Sequence, residues 1–588
     1  MQKSEYEVMG TMHKLMRYIK GYEKQAVLAP LFKMLEATFE LFVPLVVASI
    51  IDTGIKNGDA VFIWQRCGLL VLLAAIGLTC SLQAQDFSAK AALGFSTALR
   101  KDLFRHIDTL SYSELDGIGT PTLVTRMTSD INQVQNGVNL TLRLLLRSPF
   151  IVIGALIMAY TISPRLTLLF VAATVVISLI IYLIMRATVP IYHDAQNGLD
   201  KVTLLTRENY VGARVVRAFS RQADELAAFV ETNDHLRNIQ TMAGLISALM
   251  NPLTYLVINL AIIALLLRGS HEVNNGALTQ GEIIALINYM NQILVSLLRL
   301  ADLVISVTRA LASGMRVNEI LNTHTTMPDP QAKELAADPA APAVDFADVT
   351  FTYRGAGAPS LTDVGFTAKA GETIGVIGGT GSGKSTLIDL VCRFYDATAG
   401  TVSLFGHNVK EYGFAQLRHM VGIVPQQAVL FTGTIRDNMC WAAPDATDEE
   451  IWQALEIAQA ADFVRTKPGM LDAPVETAGR NFSGGQRQRL TIARALVPKP
   501  KILILDDSAS ALATDAALRK AIKDKTEGMT VFIVSQRAAS VQRADHILVL
   551  DDGLLAGDAP HNQLLKTCDV YKEICLSQLS KEEVEKTL

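Results

Sequence analysis

The sequence predicts a multi-domain membrane protein in which a six-helix, all-α transmembrane domain with long cytoplasmic helical extensions precedes an α/β domain built on a phosphate-binding loop. Apolar segments long enough to cross a bilayer recur through the first half of the chain. The second half alternates short apolar strands with helical stretches, and one strand-to-helix turn there is rich in glycine. The 588 residues are 50% hydrophobic and only 19% charged, which also favours a membrane part joined to a soluble part.

The bulk composition argues against several classes of function. A formal net charge of -4 shows no basic excess, so nucleic acid is not an expected partner. The six cysteines form no CxxC pair and lie near no histidine cluster, so neither a zinc site nor a disulfide framework is indicated. No short apolar core followed by a small-residue cleavage site opens the chain, and a secretory signal is not expected.

Six apolar segments of the first half each have the length of a membrane-spanning helix. They are residues 28–50, 61–83, 140–162, 166–186, 244–267 and 282–307. Helical patterning continues through 84–139 and 187–243, so these spans are predicted to extend far beyond the bilayer as long amphipathic helices. The lipid bilayer is therefore an expected partner of this transmembrane domain, residues 1–323.

The distribution of Lys and Arg predicts the orientation of the spans. The short gaps at 51–60, 163–165 and 268–281 hold one such residue each, whereas the long segments are rich in them. The long segments and both termini are therefore expected in the cytoplasm. Apolar residues at helical spacing with Lys and Arg between them predict an interfacial helix at about 11–24, with a solvated helix as the alternative.

A Pro- and Ala-rich stretch at 324–342 is typical of a linker, and the α/β domain is expected at 343–588. Within it, the strand "TIGVI" is followed by the pattern G-x-x-x-x-G-K-S and then by the helical "TLIDLVCRF". Backbone N–H groups of such a loop surround phosphates at a helix N-terminus, and its lysine reaches the terminal phosphates. The loop residues are Gly378, Gly379, Thr380, Gly381, Ser382, Gly383, Lys384, Ser385 and Thr386.

Two further segments of this domain favour phosphate chemistry. The apolar strand "ILILDD" ends in Asp506, which with Ser385 is expected to hold Mg²⁺. The sequence Ser483-Gly484-Gly485-Gln486 opens a helix, and a Ser-Gly-Gly turn at a helix N-terminus can bind an anion.

In the order and spacing of these motifs the chain resembles a half-transporter of the ATP-binding cassette (ABC) family, of the exporter subclass. Besides the phosphate loop and the strand ending at Asp506, the resemblance rests on "IVPQQAVLF", which carries Gln426, and on Ser483 to Gln486 as the family's signature. It implies ATP and Mg²⁺ as ligands, with Gln426 as a third residue at the metal. Tyr353 would stack on adenine, although a strand-edge tyrosine packed on the core is the alternative.

The resemblance also identifies two segments of the membrane half, "LSYSELDGIGTPTLVTRMTSDINQVQ" and "ENYVGARVVRAF". They look like the cytoplasmic loop regions whose short coupling helices dock on the nucleotide-binding domains.

The chain departs from the family pattern where the chemistry of hydrolysis resides. Members that hydrolyse ATP well have a glutamate after the magnesium aspartate and a histidine at the switch position, whereas this chain has Asp507 and Gln536. A carboxylate retracted by about 1 Å can cost on the order of a hundredfold in rate, and an amide cannot carry a proton. Ala513 stands where the family usually has a further aspartate, and this replacement has no physical explanation.

These departures, with the signature intact, predict one subunit of an asymmetric heterodimeric exporter. In this family two nucleotide domains meet head to tail, so a partner half-transporter with the glutamate and histidine would form the catalytic site. The transported substrate is expected to be an amphipathic small molecule or lipid, and the membrane to be the bacterial inner membrane. The alternatives are a homodimeric, ATP-gated regulator with very slow hydrolysis and an importer on the same frame.

Glu36 and Glu40 lie within the first span at i and i+4, and acids within a membrane tend to face a cavity or a partner. Either they bind or gate a cationic substrate, or they lie in a wet cavity or pair structurally. Arg299 and Asp302 of the sixth span are expected to pair with each other. Asparagine and glutamine side chains of the fifth and sixth spans could line a polar pathway or bond between helices.

Overall fold

The computed structural model describes residues 14–330, 334–506, 516–525 and 528–578. Its chain forms two compact units. The first takes in the chain up to Asp108 and then Pro121–Asn322, and the second takes in Thr109–Thr120 and the chain from Thr323 onward. The second unit is therefore built from two separate stretches of the sequence.

Helices make up the described part of the first unit. In chain order, and including α3 of the second unit, the helices up to Leu321 are α1 Glu23–Ser49, α2 Ala60–Ile107, α3 Tyr112–Ile118, α4 Thr120–Thr125, α5 Ile131–Leu144, α6 Arg147–Ile162, α7 Pro164–Val211, α8 Ala213–Ala218, α9 Gln222–Ala248, α10 Met250–Asn274 and α11 Gln280–Leu321. Two π-helical turns, Ile50–Ile55 and Arg126–Asp130, continue α1 and link α4 to α5.

Five helical stretches of the described residues are long and apolar enough to cross a membrane. They are Glu23–Ile55, Ala60–Ile107, Thr120–Ile162, Pro164–Val211 and Gln222–Asn274, and each contains one predicted span. The sixth predicted span lies in α11, where Asn288, Asn291 and Gln292 interrupt the apolar run. The prediction of a helical domain whose helices run far beyond the bilayer is confirmed, since α2 and α7 have 48 residues each.

Close contact between α1 and α11 organises this unit. The buried Tyr289 hydroxyl donates a hydrogen bond to the Leu41 carbonyl at 2.6 Å. At the other end, Asp52 accepts from the Gly281 N–H at 2.9 Å, and a Cβ at Gly281 would lie 2.4 Å from the Ala48 carbonyl oxygen. Only glycine allows this approach, so α11 is held against α1 between Gly281 and Tyr289.

The predicted interfacial helix at 11–24 is described only from residue 14 onward. Its described part ends with the 3-10 turn Arg17–Ile19, because Gly21 adopts a φ of +92° and α1 starts anew at Glu23. Leu15 and Ile19 are buried in the unit. Met12, part of the same pattern, lies outside the described residues.

The second unit contains two main β-sheets. Its strands are β1 Val344–Phe351, β2 Leu361–Ala368, β3 Thr373–Gly378, β4 Ala399–Leu404, β5 His407–Asn408, β6 Val421–Val424, β7 Gly433–Thr434, β8 Pro474–Val475, β9 Ile502–Asp506, β10 Thr530–Ser535, β11 His546–Asp551 and β12 Leu554–Ala559. One sheet has the order β2-β1-β4-β5 and is antiparallel; the other has the order β12-β11-β3-β10-β9-β6, with only β12 antiparallel. A short ribbon pairs β7 with β8.

Helices cover the parallel sheet. They are α12 Lys384–Val391, α13 Phe414–Met420, α14 Ile435–Met439, α15 Asp448–Ile457, α16 Ala461–Arg465, α17 Gly484–Leu496, α18 Ala516–Lys525, α19 Ala538–Val541, α20 His561–Thr567 and α21 Asp569–Gln578. The central strands β3, β9 and β10 are nearly continuous apolar runs buried on both faces, which is typical of a parallel sheet between helix layers. The predicted α/β fold of this half is confirmed.

Candidate nucleotide-binding site

The residues that the sequence assigns to phosphate and metal converge on one edge of the parallel sheet. The phosphate loop follows β3, Gln536 follows β10, Asp506 ends β9, and Gln426 lies two residues beyond β6. These strands are neighbours in the order β3-β10-β9-β6 and run parallel. Their carboxyl ends therefore present four distant segments of the chain at the position where parallel sheets bind ligands.

Glycine is required at several points of the phosphate loop. Gly381 and Gly383 adopt φ values of +83° and +95°, which disfavour residues with a Cβ. At Gly378 a Cβ would lie 2.2 Å from the Leu550 carbonyl oxygen. The loop thus turns tightly from β3 into α12 and leaves its backbone open to a phosphate.

Lys384 places a positive charge inside this loop. Its ammonium group donates hydrogen bonds to the carbonyl oxygen of Gly378 at 3.0 Å, to that of Gly379, and to the Ser382 hydroxyl at 3.3 Å. The residue is 8% exposed and Ser382 is 4% exposed, whereas Ser385 at the next position is exposed. The lysine charge is thereby held at the centre of the loop, within reach of an anion bound to the backbone N–H groups.

Tyr353 is tied to the phosphate-loop helix through its hydroxyl group, which lies 3.1 Å from the Thr386 hydroxyl. Its ring makes edge contacts with Phe351 and Tyr395, with centroids 4.8 and 5.2 Å apart. Burial raises the pKa of this half-buried tyrosine. The packing matches the alternative of a strand-edge tyrosine on the core, and stacking on adenine stays a prediction.

The signature segment begins α17 in an exposed position. Ser483 is the N-cap: its hydroxyl accepts from the Gln486 N–H at 3.3 Å, and its own N–H donates to the Gln486 side-chain oxygen at 3.0 Å. Gly484 and Gly485 are exposed, and a Cβ built on either would meet no atom within 4 Å. The positive end of the helix therefore faces open space.

The switch position lies in a turn that a distant glutamine fixes. Gln536 is exposed, and its backbone carbonyl accepts a hydrogen bond from the Gln578 side chain at 2.8 Å. The Gln578 side-chain oxygen accepts from the Ala538 N–H at 2.9 Å. One side chain on the last described helix thus holds both flanks of the turn, a role that no sequence motif indicated.

Comparison with known proteins identifies the family. Residues 27–297 match the ABC transporter transmembrane region and residues 361–510 match the ABC transporter family. An uncharacterised ABC transporter ATP-binding protein of Mycobacterium tuberculosis (strain ATCC 25618 / H37Rv) is 35% identical over 569 residues, which cover 96% of this chain and 97% of the relative. The chain belongs to the ABC transporter family.

Two further comparisons place the transporter among exporters by likeness. The ATP-dependent lipid A-core flippase of Escherichia coli (strain K12) is 28% identical over 568 residues, 96% of this chain and 97% of that protein. The solved structure of a bacterial Atm1-family ABC exporter with ATP bound superposes with a TM-score of 0.78 at 22% identity, covering 95% of this chain and 99% of the other. The transporter therefore has the exporter fold that the sequence predicted, with an ATPase domain after the helical domain.

The residues of this ABC transporter suit ATP and a divalent cation. The glycine-rich loop and the enclosed Lys384 match the needs of a triphosphate. Hydroxyl, amide and carboxylate oxygens at Ser385, Gln426 and Asp506 are the donors that Mg²⁺ prefers, and these three residues would hold it. The bound cation would neutralise charge on the phosphates. Asp507 and Ala513 lie outside the described residues, and their roles stay predictions.

A second carboxyl group beside Asp506 was not singled out in the sequence. Burial, the charge of Asp506 and the charge of Asp116 raise the pKa of Asp389 to about 7. Asp389 lies one turn after Ser385 on α12, so its side chain is on the same helix face. A carboxyl group whose pKa is raised to about 7 thus lies close to the residue expected at the metal.

Part of the first predicted coupling segment, residues 110–120, is docked within the second unit of the transporter. The Tyr112 ring of α3 packs on Phe394 with centroids 4.8 Å apart, and the Tyr395 hydroxyl donates to the Asp116 carboxylate at 2.5 Å. Glu114 is 2% exposed; burial would raise its pKa, but hydrogen bonds from Ser111 and Thr326 outweigh burial and hold the pKa below its usual value. The predicted segment therefore includes a short helix fixed by aromatic and charged contacts.

This helix forms one side of a cleft of about 530 Å³ that Tyr353 also lines. Ser113, Asp116, Arg354 and Tyr395 contribute to the same cleft. The predicted adenine residue and the first coupling helix consequently border one space in the second unit. Sequence reasoning found both elements but had no signal for their proximity.

In the membrane domain, the two predicted pathway glutamates are both paired. The Lys33 ammonium lies 2.6 Å from Glu36 and also donates to the Ser81 hydroxyl at 3.0 Å. The Arg147 guanidinium lies 2.6 Å from Glu40 and 3.8 Å from Glu36. Structural pairing is thus the alternative that the geometry favours, although Glu40 keeps 41% of its side chain exposed.

The expected pair between Arg299 and Asp302 is wrong. Among the described residues neither side chain makes an ion pair or a hydrogen bond, and both are exposed. Exposed charges gain little from pairing, so spacing at i and i+3 permits the contact without enforcing it. Arg299 instead lines a cavity together with Glu40 and Arg147.

Proposed function

We propose that this transporter is one subunit of a heterodimeric, ATP-driven exporter, which holds ATP and Mg²⁺ at a degenerate site of its own and lends its signature to the partner's catalytic site. The observation that carries the proposal is a contrast between the phosphate loop and the sequence around it. The loop is formed with Lys384 enclosed, while the sequence has Asp507 and Gln536 where hydrolysis needs glutamate and histidine.

The binding side of the contrast is the phosphate loop. Its backbone is open, and Lys384 lies enclosed at its centre. On the chemical side, the exposed Gln536 amide can donate a hydrogen bond to a phosphate oxygen but cannot take up a proton. Aspartate at 507 would hold the attacking water about 1 Å from the position that glutamate reaches, at a cost on the order of a hundredfold. Such a site favours occupancy by nucleotide over turnover.

The exposed signature supports the contribution to a partner. The first turn of α17 carries Ser483, Gly484 and Gly485 at the surface, with open space where an added Cβ would stand. Backbone N–H groups at a helix N-terminus stabilise a phosphate that is brought to them. A nucleotide held by the phosphate loop of a second chain would bring its phosphates to this exposed helix N-terminus.

The second predicted coupling segment also supports a two-chain assembly. Around α8, Tyr210, Val211, Val215 and Phe219 are 61–85% exposed. Four large apolar side chains in one segment are unusual at a monomer surface outside the membrane and are typical of an interaction site. We assign this segment to docking on the partner's nucleotide-binding domain.

Export of an amphipathic small molecule or lipid is the direction and substrate class that the relatives favour. One relative at 28% identity is named an ATP-dependent lipid A-core flippase, and the fold is that of an Atm1-family exporter. In this mechanism ATP closes the paired nucleotide domains, the coupling helices transmit the closure, and hydrolysis at the partner's site resets the transporter. The nucleotide domains and both termini lie in the cytoplasm, and the membrane is the bacterial inner membrane.

The decisive experiment compares two variants of this chain in the presence of a co-expressed half-transporter that has Asp-Glu and a switch histidine. Gly485→Asp places a negative charge at the signature, and Lys384→Ala removes the lysine of the transporter's own loop. If the sites are asymmetric, Gly485→Asp abolishes the partner-stimulated ATPase, whereas Lys384→Ala leaves most of it. Equal losses for both variants would contradict the asymmetric assignment.

The wild-type chain alone provides the control. It is expected to bind a fluorescent ATP analogue but to hydrolyse ATP slowly, with a sharp rise on addition of the partner. Robust ATPase of the isolated chain would overturn the heterodimer and leave a homodimeric pump. ATP binding without hydrolysis, with or without the partner, would favour the ATP-gated regulator. Movement of substrate toward the cytoplasmic face of the vesicle membrane, rather than away from it, would favour an importer.

A further inference from the structure

A cavity of about 350 Å³ opens in the first unit where α1, α6 and α11 meet. Its lining consists of Glu40, Val43, Pro44, Val47, Arg147, Ile151, Asn288, Asn291, Gln292, Val295, Ser296 and Arg299. All of these residues belong to the membrane domain. The lining includes Glu40 and the asparagine and glutamine side chains of the sixth span that the sequence suggested for a polar pathway, but its charge and ligand preference do not follow from the family match.

The charges in this lining do not cancel. Arg147 forms an ion pair with Glu40 at 2.6 Å, and Lys33 forms one with Glu36 at the same distance. Both glutamates are therefore neutralised by a lysine or an arginine. Arg299 makes no ion pair or hydrogen bond in the part of the chain that the structure describes, so the cavity carries one uncompensated positive charge.

Several polar atoms of the lining also lack partners. The Arg147 Nε and the Gln292 Oε1 are buried and have no hydrogen-bond partner among the described residues. The exposed Asn291 amide makes no hydrogen bond among them either. A buried polar atom left unpaired costs about 1–3 kcal/mol, so such atoms are normally satisfied by something in the site. The Gln292 oxygen is an acceptor, whereas the Arg147 Nε and the Arg299 guanidinium are donors, so the lining offers cationic donors to a ligand.

Apolar side chains form the rest of the cavity wall, contributed by Val43, Pro44, Val47, Ile151 and Val295. Cationic and amide donors beside an aliphatic surface suit a molecule with an anionic head and an apolar body. A small inorganic anion would leave this aliphatic surface unused.

The charged end of the cavity lies at a depth that suits a lipid-like ligand. Arg299 is about 28 Å along α11 from Gln280, and Glu40 is about 22 Å from Ile55 at 1.5 Å per residue. The hydrocarbon core of a bilayer is about 30 Å thick. A helix that enters the hydrocarbon region at Gln280 would place Arg299 near the opposite boundary, where head groups of that leaflet are found.

We propose that this cavity binds amphiphiles with an anionic head group, with Arg299 as the contact for the charge. The proposal rests on the transport function proposed above and specifies its substrate class. It replaces the cationic substrate that Glu36 and Glu40 suggested, because both carboxylates are already paired.

The test measures binding in the absence of ATP, with the full-length transporter in nanodiscs of zwitterionic lipid. Dodecyl phosphate, dodecyltrimethylammonium and inorganic phosphate compete against a fluorescent phosphatidic acid. Dodecyl phosphate is expected to displace the probe, and the other two are not. Displacement by inorganic phosphate alone would reduce the site to a simple anion site, and equal or better displacement by the cationic detergent would overturn the proposal.

Arg299→Gln is expected to weaken probe binding about tenfold or more, as the loss of one charge-assisted hydrogen bond predicts. Arg299→Lys should retain most of the affinity, and the matched control Asp302→Asn, which changes an exposed charge one turn away, should retain it as well. Unchanged binding in Arg299→Gln, or an equal loss in Asp302→Asn, would contradict the assignment. All three variants should fold, because neither side chain has an ion-pair or hydrogen-bond partner to lose among the described residues.

The nucleotide assays separate this proposal from the transport function. If the wild-type transporter shows partner-stimulated ATPase but no preference for the anionic head group, only the substrate class fails. If the anionic preference holds while the chain shows no partner-dependent ATPase, the cavity stands and the exporter assignment fails.

Discussion

Removal of Arg147 offers the sharpest test of the charge network in the membrane domain. Its side chain is 7% exposed and contacts Glu40 at 2.6 Å and Glu36 at 3.8 Å. Arg147→Met keeps the volume of the side chain but leaves Glu40 without a cation among the described residues, and Glu36 then has Lys33 as its counterion. Breaking a buried pair from one side costs about 3–5 kcal/mol, and the 41% exposure of Glu40 places the expected value near 3 kcal/mol.

The converse change is milder. In Glu40→Gln the arginine keeps Glu36 within 3.8 Å, so a loss of about 1–2 kcal/mol is expected. The double variant removes both charges and should be less destabilised than the two single variants combined, with a coupling of about 1–3 kcal/mol. This coupling energy measures the interaction between Arg147 and Glu40.

The assay is thermal unfolding of the full-length transporter in detergent, followed by differential scanning fluorimetry. A loss of 3 kcal/mol corresponds to a fall in Tm of roughly 5–10 °C for a unit of this size. Arg299→Met is the matched control and should shift Tm little, because Arg299 has no ionic partner among the described residues. Additive effects of Arg147→Met and Glu40→Gln would refute the network.

Three further predictions concern the second unit. Gln578→Ala removes both hydrogen bonds that hold the switch turn, so hydrogen exchange at residues 536–538 should accelerate by about tenfold, and unchanged exchange would show that the turn is held otherwise. Tyr395→Phe removes the hydrogen bond to Asp116 and should make residues 109–120 more sensitive to limited proteolysis, with an unaltered pattern counting against the docking. The hydrogen bond to Asp558 raises the pKa of His546, so this pair stabilises the fold below about pH 6.5 and loses its effect as pH rises through the raised value. His546→Gln should accordingly lower stability by about 0.5–1 kcal/mol near pH 6 and hardly at all near pH 9, and a pH-independent difference in thermal unfolding would exclude the ion pair.

The sequence was sufficient wherever function depends on residues close together in the chain. The phosphate loop needs glycines and a lysine within eight positions, so its strand-loop-helix context was predictable, and the structure forms that loop between β3 and α12. The long helices also followed from local composition and periodicity. The sixth span was predicted from its length, although its asparagines make α11 less apolar than the other spans.

Contacts between distant residues could not be predicted in the same way. Arg147 meets Glu40 from 107 positions away, and Tyr395 meets Asp116 from 279 positions away. The local rule for helix spacing suggested a pair between Arg299 and Asp302, but a rule of that kind only states which side chains can meet. Which of them do meet depends on the other helices of the bundle.

The membership of residues 109–120 in the second unit has a consequence for the order of biosynthesis. Tyr112 and Asp116 are made before more than 270 further residues, yet their contacts Phe394 and Tyr395 come only later from the ribosome. Since α3 lies between the second and third apolar segments, insertion of the first two spans would hold it at the membrane surface until the ATPase domain emerges. A fragment that begins at residue 323 would expose the Phe394 and Tyr395 rings to water, and we expect it to be less soluble than the same fragment supplied with a peptide of residues 109–120.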